Sequence, residues 1–127
     1  MRVLLDTQAF YLAATQGAAG LPKKVLALLA DDDTERIISA VSIMEIATKH
    51  SLGKMALDET LTRQGMRDLR VTILPFTPQH AYQLFSLARH HRDPFDRMLI
   101  ATALAENVPL IGSDREFRKY KGLKVIW

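Results

Sequence analysis

The sequence contains no cysteine. Disulfide bonds, thiolate zinc sites and cysteine nucleophiles are therefore excluded. No apolar run approaches the roughly 20 residues that a membrane helix needs. The apolar start, MRVLL, reaches Asp6 too soon for a signal peptide. We expect a cytoplasmic protein without a membrane segment.

Several catalytic signatures are also missing. There is no GxxxxGK[ST], GxGxxG or GxSxG motif, which disfavours nucleoside-triphosphate, dinucleotide and serine-hydrolase chemistry. The histidines lack zinc-helix spacing such as HExxH, and we expect surface or capping roles for all four: His50, His80, His90 and His91.

The length and charge of the chain set only broad limits. A chain of 127 residues is the size of one domain, and 48% apolar residues are enough for a single core. The formal charge of +3 is compatible with a polyanionic partner, but the basic residues are spread along the chain. Charge alone does not indicate the function.

Short apolar runs alternate with helical patterns along the chain. The pattern predicts strands at 2–5, 36–40, 71–74, 109–111 and 124–126. It predicts helices at 8–14, 22–30, 42–52, 58–69, 78–90, 93–107 and 115–120. This alternation predicts a three-layer α/β/α sandwich with a mostly parallel, roughly five-stranded sheet, and a single domain over residues 1–127.

Four acidic residues occupy related places in this pattern. Asp6 directly follows the first strand, and Asp114 follows the fourth. Glu45 lies in the first turn of the helix predicted to begin at Ser42, and Asp96 in the first turn of the apolar helix after Asp93. Since ligands of open parallel sheets bind beyond the carboxyl ends of the strands, all four could face one crevice.

Each acid also has a purely structural interpretation. Ser42 and Glu45 have the spacing of a capping box, and Asp6 could cap the helix that follows it. Asp93 has the position of an N-cap and Asp96 that of an acid at N3, where the helix dipole favours a negative charge, and Ser113 to Glu116 have the same cap spacing. Together, however, four gathered carboxylates repel one another unless a cation neutralises them. An all-oxygen set favours Mg²⁺ or Mn²⁺, which supports phosphodiester hydrolysis without a covalent intermediate.

The sequence resembles the PIN-domain family, and in particular the VapC-type toxins of bacterial type II toxin–antitoxin pairs. The similar stretches are LLDTQAF (4–10), SAVSIMEIATKHSLGK (39–54), HRDPFDRMLIATALAENVPLIGSD (91–114) and KYKGLKVI (119–126). The resemblance implies a Mg²⁺- or Mn²⁺-dependent endoribonuclease, a homodimer and an inhibitory antitoxin partner.

By position, the resemblance implies that the catalytic, metal-binding acids are Asp6, Glu45, Asp96 and Asp114. It places the hydroxyls of Thr7 and Ser113 beside these acids, where they could bind water. Asp93 is expected to cap the helix or to support the metal ligands. Arg97 is expected to serve a phosphate or a carboxylate.

Two other classes of function stay open. Aspartyl-nucleophile phosphotransferases of the haloacid-dehalogenase type carry DxDxT after the first strand, and Gln8 stands here at the second acid. Receiver-like domains carry an acidic pair after that strand, where this chain has Asp6 alone. The non-enzymatic alternative is a catalytically silent PIN-like module that only binds RNA or protein, although a pure RNA-binding face would favour lysine or arginine at these positions.

Overall fold

The structure, a computed structural model, describes residues 1–127. Its five strands form one sheet in the spatial order β3-β2-β1-β4-β5, and every pairing is parallel. The strands are β1 (Arg2–Leu5), β2 (Glu35–Ser39), β3 (Thr72–Leu74), β4 (Leu110–Ile111) and β5 (Val125–Ile126). The predicted parallel, five-stranded sheet is confirmed.

Six α-helices connect and cover the strands. They are α1 (Thr7–Gln16), α2 (Lys23–Ala30), α3 (Ala40–Ser51), α4 (Glu59–Asp68), α5 (Pro78–Gln83) and α6 (Pro94–Glu106). Three 3₁₀ turns lie at Gly17–Gly20, Leu84–Ser86 and Arg115–Lys119. None of the helices combines the length and apolar composition required to cross a bilayer.

The sheet separates two apolar layers because side chains along a strand alternate between its faces. On β1, Val3 and Leu5 face a cluster built mainly on α1 to α4, and Leu4 faces a second cluster that contains α6 residues. The first cluster includes Phe10, Val25, Ile46 and Met66, and the second includes Ile100, Ala103, Phe117 and Tyr120. This arrangement is the predicted three-layer sandwich.

The start of α3 differs from the prediction. The helix begins at Ala40, capped by Ser39, whose hydroxyl accepts a hydrogen bond from the Val41 N–H at 3.1 Å. The predicted start at Ser42 is therefore wrong, and so is the Ser42–Glu45 capping box. Strand β2 runs into α3 without a loop, which moves Glu45 to the second turn of the helix. The Ser42 hydroxyl is buried and instead accepts a hydrogen bond from Thr7 Oγ1 at 2.9 Å.

The helix predicted over residues 78–90 is also shorter. It ends at Gln83, and after the 3₁₀ turn the chain crosses to α6 without regular structure. Side chains from elsewhere satisfy the carbonyls of this crossing: Arg97 donates to the oxygens of Leu87, Ala88 and His91, and Tyr120 Oη donates to Ala88 O at 2.7 Å. These partners replace the intrahelical hydrogen bonds that a longer α5 would have made.

Candidate metal centre

A small polar cavity lies at the carboxyl ends of β1 and β4. These neighbouring strands mark the switch point of the sheet, because the chain adds β2 and β3 on one side of β1 and β4 and β5 on the other. The cavity has a volume of about 280 Å³. Its lining includes all four predicted acids, with Thr7, Gln8, Lys49, Met55, Asp93 and Ser113.

Asp6 combines two roles that the sequence presents as alternatives. Its Oδ1 caps α1 by accepting the Ala9 N–H at 2.7 Å, while its side chain lines the cavity. Burial, together with the negative charges of Asp96, Glu45 and Asp114, raises the pKa of Asp6 to about 7. The carboxyl group is therefore difficult to ionise without a compensating cation.

A glycine on β4's carboxyl side makes room for this carboxylate. A Cβ atom at Gly112 would lie 2.6 Å from Asp6 Oδ2 and 2.7 Å from Cε2 of Phe117. Both distances are well inside van der Waals contact, so only glycine fits between the acid and the ring.

The two aspartates at the start of α6, Asp93 and Asp96, have different roles. Asp93 is the N-cap, and its Oδ1 accepts the N–H groups of Phe95 at 2.8 Å and Asp96 at 3.2 Å. Its predicted capping role is confirmed. Burial and the adjacent charge of Asp93 raise the pKa of Asp96 to about 6. Asp96 thus resembles Asp6 in holding a costly negative charge at the cavity.

Glu45 lines the cavity and carries a buried oxygen without a hydrogen-bond partner. The residue is 4% exposed; its Oε2 accepts a hydrogen bond from Lys49 Nζ, whereas the buried Oε1 has no hydrogen-bond partner. Lys49 is the one basic residue in the cavity lining, and its bond to Glu45 raises the pKa of the ammonium. A buried acceptor without a partner costs roughly 1–3 kcal/mol, which a bound cation would offset.

Asp114 is held by two donors. Its Oδ1 accepts the Glu116 N–H at 2.9 Å, and its Oδ2 lies 2.8 Å from Nε2 of His91. Burial acts to raise the pKa of Asp114, but these two hydrogen bonds outweigh it and lower the pKa below its ordinary value. His91 Nε2 also lies 3.2 Å from Asp96 Oδ2.

The surface or capping role expected for His91 is therefore wrong. Its side chain is 9% exposed and lies between two of the acids. No spacing rule identifies it, because 23 residues separate it from Asp114 and only the fold brings them together. His80, by contrast, completes a capping box with Thr77 at the start of α5, so its predicted capping role is confirmed.

The remaining predicted residues divide into two groups. Thr7 and Ser113 line the cavity, although the Thr7 hydroxyl is engaged with Ser42. Arg97 does not line it. Its guanidinium donates to main-chain carbonyls of the segment between α5 and α6, so it fixes that segment and contacts none of the acids.

The donor set fits a hard divalent cation. Four carboxylates from four separate places in the chain converge, one of their oxygens is buried and unpartnered, and two of the acids have raised pKa values. Oxygen ligands of this kind suit Mg²⁺ or Mn²⁺ better than softer metals.

Residues 3–123 match the family model of the PIN domain. The chain belongs to the PIN-domain family. This finding confirms the family resemblance of the sequence. No curated protein sequence matches the chain.

Solved structures reproduce this PIN fold at low sequence identity. A chain of VapBC2 from Rickettsia felis, bound to a promoter DNA fragment, aligns with a TM-score of 0.76 and 19% identity over 100% of this chain and 99% of its own. A chain of DNA-bound VapBC from Salmonella typhimurium aligns with a TM-score of 0.75 and 19% identity, over 99% of this chain and 97% of its own. A chain of VapBC-5 from Mycobacterium tuberculosis, a member of the VapBC family of toxin–antitoxin systems, aligns with a TM-score of 0.61 and 19% identity. The alignment covers 98% of this chain and 97% of its own.

Proposed function

We propose that this PIN domain is a Mg²⁺- or Mn²⁺-dependent endoribonuclease and the cytoplasmic toxin of a type II toxin–antitoxin pair. The observation that carries the proposal is the convergence of Asp6, Glu45, Asp96 and Asp114 on one cavity, with Glu45 Oε1 buried and unpartnered. Membership of the PIN family supports a nuclease, and the carboxylate set supports the metal dependence.

The residues of the cavity have distinct parts in such a reaction. The four acids would hold the divalent cation, which supplies an acidified water and neutralises charge on the phosphate. Asp6 and Asp96, whose pKa values are raised, would give up their protons as the cation is bound. Lys49 would compensate the negative charge of the RNA backbone, because its ammonium is the only cationic group in the lining.

We expect the purified protein to cleave single-stranded or structured RNA in Mg²⁺ or Mn²⁺, and excess EDTA to abolish cleavage. Gel analysis of a labelled RNA with and without chelator tests this, with Asp96→Asn as a preparation control for contaminating nuclease. Undiminished cleavage in excess chelator would contradict the metal mechanism. RNA binding that survives both chelation and Asp6→Asn, without cleavage in Mn²⁺, would favour the catalytically silent module.

The proposed partner is a small antitoxin. We infer that a segment of it lies across the cavity and places an arginine or an aromatic side chain among the acids, because five carboxylates and one lysine line that space. Expression of this chain alone should arrest growth, and co-expression of a neighbouring small gene should relieve the arrest. Harmless expression at high level would count against the toxin assignment.

We also propose a homodimer, formed through the exposed apolar side chains of α5 and the turn after it. Phe85 is 91% exposed and Tyr82 67%, which is unusual for large aromatic residues. Phe85→Glu should weaken the dimer by more than about 100-fold, because a two-fold interface loses both copies of the side chain. Light scattering after size exclusion measures this, with Leu52→Glu as the control for an exposed apolar residue elsewhere. A dimeric Phe85→Glu protein would contradict the assigned interface.

A further inference from the structure

The His91 ring makes a polar contact through each of its two nitrogens and an aromatic contact with Phe117. The ring stacks on Phe117 with a centroid distance of 5.7 Å and an interplanar angle of 30°. Its main-chain N–H donates to Tyr120 Oη at 2.8 Å, and Tyr120 in turn donates to Ala88 O. The imidazole is therefore fixed in position before any ligand arrives.

The hydrogen bonds of the ring also fix where its proton lies. Nδ1 lies 3.1 Å from the main-chain nitrogen of Asp93, whose N–H can only donate, so Nδ1 is the acceptor and carries no hydrogen. The single proton of the neutral ring is then on Nε2. That nitrogen lies 2.8 Å from Asp114 Oδ2 and 3.2 Å from Asp96 Oδ2 and donates towards both.

We propose that His91 is a positioning residue that joins Asp96 and Asp114 into one preformed half of the metal centre. This inference rests on the proposed metal-dependent function. The two acids come from different parts of the chain, the start of α6 and the segment after β4, and an oxygen of one lies within 4.8 Å of an oxygen of the other. Like charges this close repel. A single N–H placed between their oxygens holds them together at a spacing that a cation can then use.

The same geometry argues against His91 as a metal ligand, although Nε2 and one oxygen of each acid lie within 4.8 Å of one another. A ligating nitrogen must offer a lone pair. For Nε2 to do so, the ring proton would have to move to Nδ1, and the hydrogen bond from the Asp93 N–H would be lost. That bond belongs to the turn that begins α6, so the protein structure itself selects the donor form of Nε2.

Two substitutions of His91 test the contacts of Nε2 and Nδ1 separately. Glutamine places an amide N–H close to the position of Nε2 and can still donate to the acids, whereas asparagine places an acceptor close to Nδ1 and is too short to reach them. We expect His91→Asn to weaken Mn²⁺ binding to the RNA-free protein by about 10- to 100-fold. We expect His91→Gln to retain affinity within about threefold of the unsubstituted chain, within the usual scatter of such effects.

Electron paramagnetic resonance of free Mn²⁺ measures both affinities, and thermal melting without metal shows whether each variant is folded. Unchanged affinity in His91→Asn would overturn the proposal. Equal losses in both variants would also overturn it, because they would indicate a general structural role for the ring. Asp6→Asn, measured in parallel, distinguishes a failure of the proposed metal site from a failure of the positioning role of His91. If Asp6→Asn binds Mn²⁺ as tightly as the unsubstituted chain does, the assignment of the metal site itself is wrong.

A spectroscopic measurement on the unsubstituted chain needs no variant. Nitrogen-15 chemical shifts of the His91 ring, with and without Mg²⁺, report which nitrogen carries the proton. We expect a protonated Nε2 in both states. A proton that moves to Nδ1 when Mg²⁺ is added would make His91 a ligand and would overturn its assignment as a positioning residue.

Discussion

Replacing Asp6 with asparagine should reduce RNA cleavage by more than about 100-fold and, at pH 8, make the metal-free protein more stable. The pKa of Asp6 is raised to about 7, from an ordinary value of 3.8. Between these values the folded chain keeps a proton that the unfolded chain has lost, so the free energy of unfolding falls as pH rises through this window. A difference of about three pKa units corresponds to about 4 kcal/mol. Asparagine removes the charge and keeps an oxygen for the Ala9 N–H.

Melting curves from pH 4 to pH 8, with and without Mn²⁺, measure this effect. The unsubstituted chain should lose stability with rising pH unless Mn²⁺ is present, and Asp6→Asn should show a flatter profile that Mn²⁺ does not change. Asp58→Asn is the matched control, since Asp58 caps α4 in the same way but lies outside the metal centre. If Asp6→Asn keeps full cleavage, Asp6 is a structural cap only. A lower melting temperature of Asp6→Asn at pH 8 would contradict the stability effect expected from the raised pKa of Asp6.

Replacing Gly112 with alanine should disable the metal centre through sterics alone. The added Cβ would lie 2.6 Å from Asp6 Oδ2 and 2.7 Å from Cε2 of the fully buried Phe117 ring, so the Asp6 carboxylate or the main chain has to shift. Overpacking of this kind costs about 1–3 kcal/mol of stability. We expect cleavage to fall by about 100-fold, because a displacement of about 1 Å at a reacting centre has that effect.

Gly65→Ala provides the control for this substitution. Gly65 is also closely packed, since an added methyl group would lie 3.0 Å from Ala14 Cβ and 3.1 Å from Phe10 Cζ, but it lies on α4 away from the acids. Its melting temperature should change while Mn²⁺ affinity stays constant. Gly112→Ala should lose Mn²⁺ affinity beyond what its melting temperature explains. Normal Mn²⁺ binding and cleavage in Gly112→Ala would show that Asp6 is not needed at its observed position.

The order of the strands in the sheet and the positions where they end explain why the sequence predicts that the acids converge on one cavity. The rule that ligands bind beyond the carboxyl ends of parallel strands places Asp6 and Asp114 together once β1 and β4 are recognised. Capping and metal binding are alternative explanations of the sequence pattern, but the structure allows one residue both to cap a helix and to line the cavity. Asp6 Oδ1 caps a helix while the Asp6 side chain also lines the cavity.

Long-range contacts explain what the sequence does not reveal. Ser39 and Ser42 are both suitable N-cap residues by sequence. Ser39 is the cap because β2 ends there, and the Ser42 hydroxyl instead accepts a hydrogen bond from Thr7. Arg97 and His91 have no local signal for their roles, because their partners are main-chain carbonyls and an acid that only the folded chain brings near.

The pairing of β1 with β4 has a consequence for synthesis of the protein. Leu4 pairs with Leu110 and Leu5 with Ile111, so the strands that precede Asp6 and Asp114 are joined only after β4 has been made. Ribosomes add about 5–20 residues per second, and a chain lacking β4 cannot assemble the four-acid cavity. The four acids therefore come together only after β4 has been made, so an incomplete chain of this protein would lack the assembled cavity.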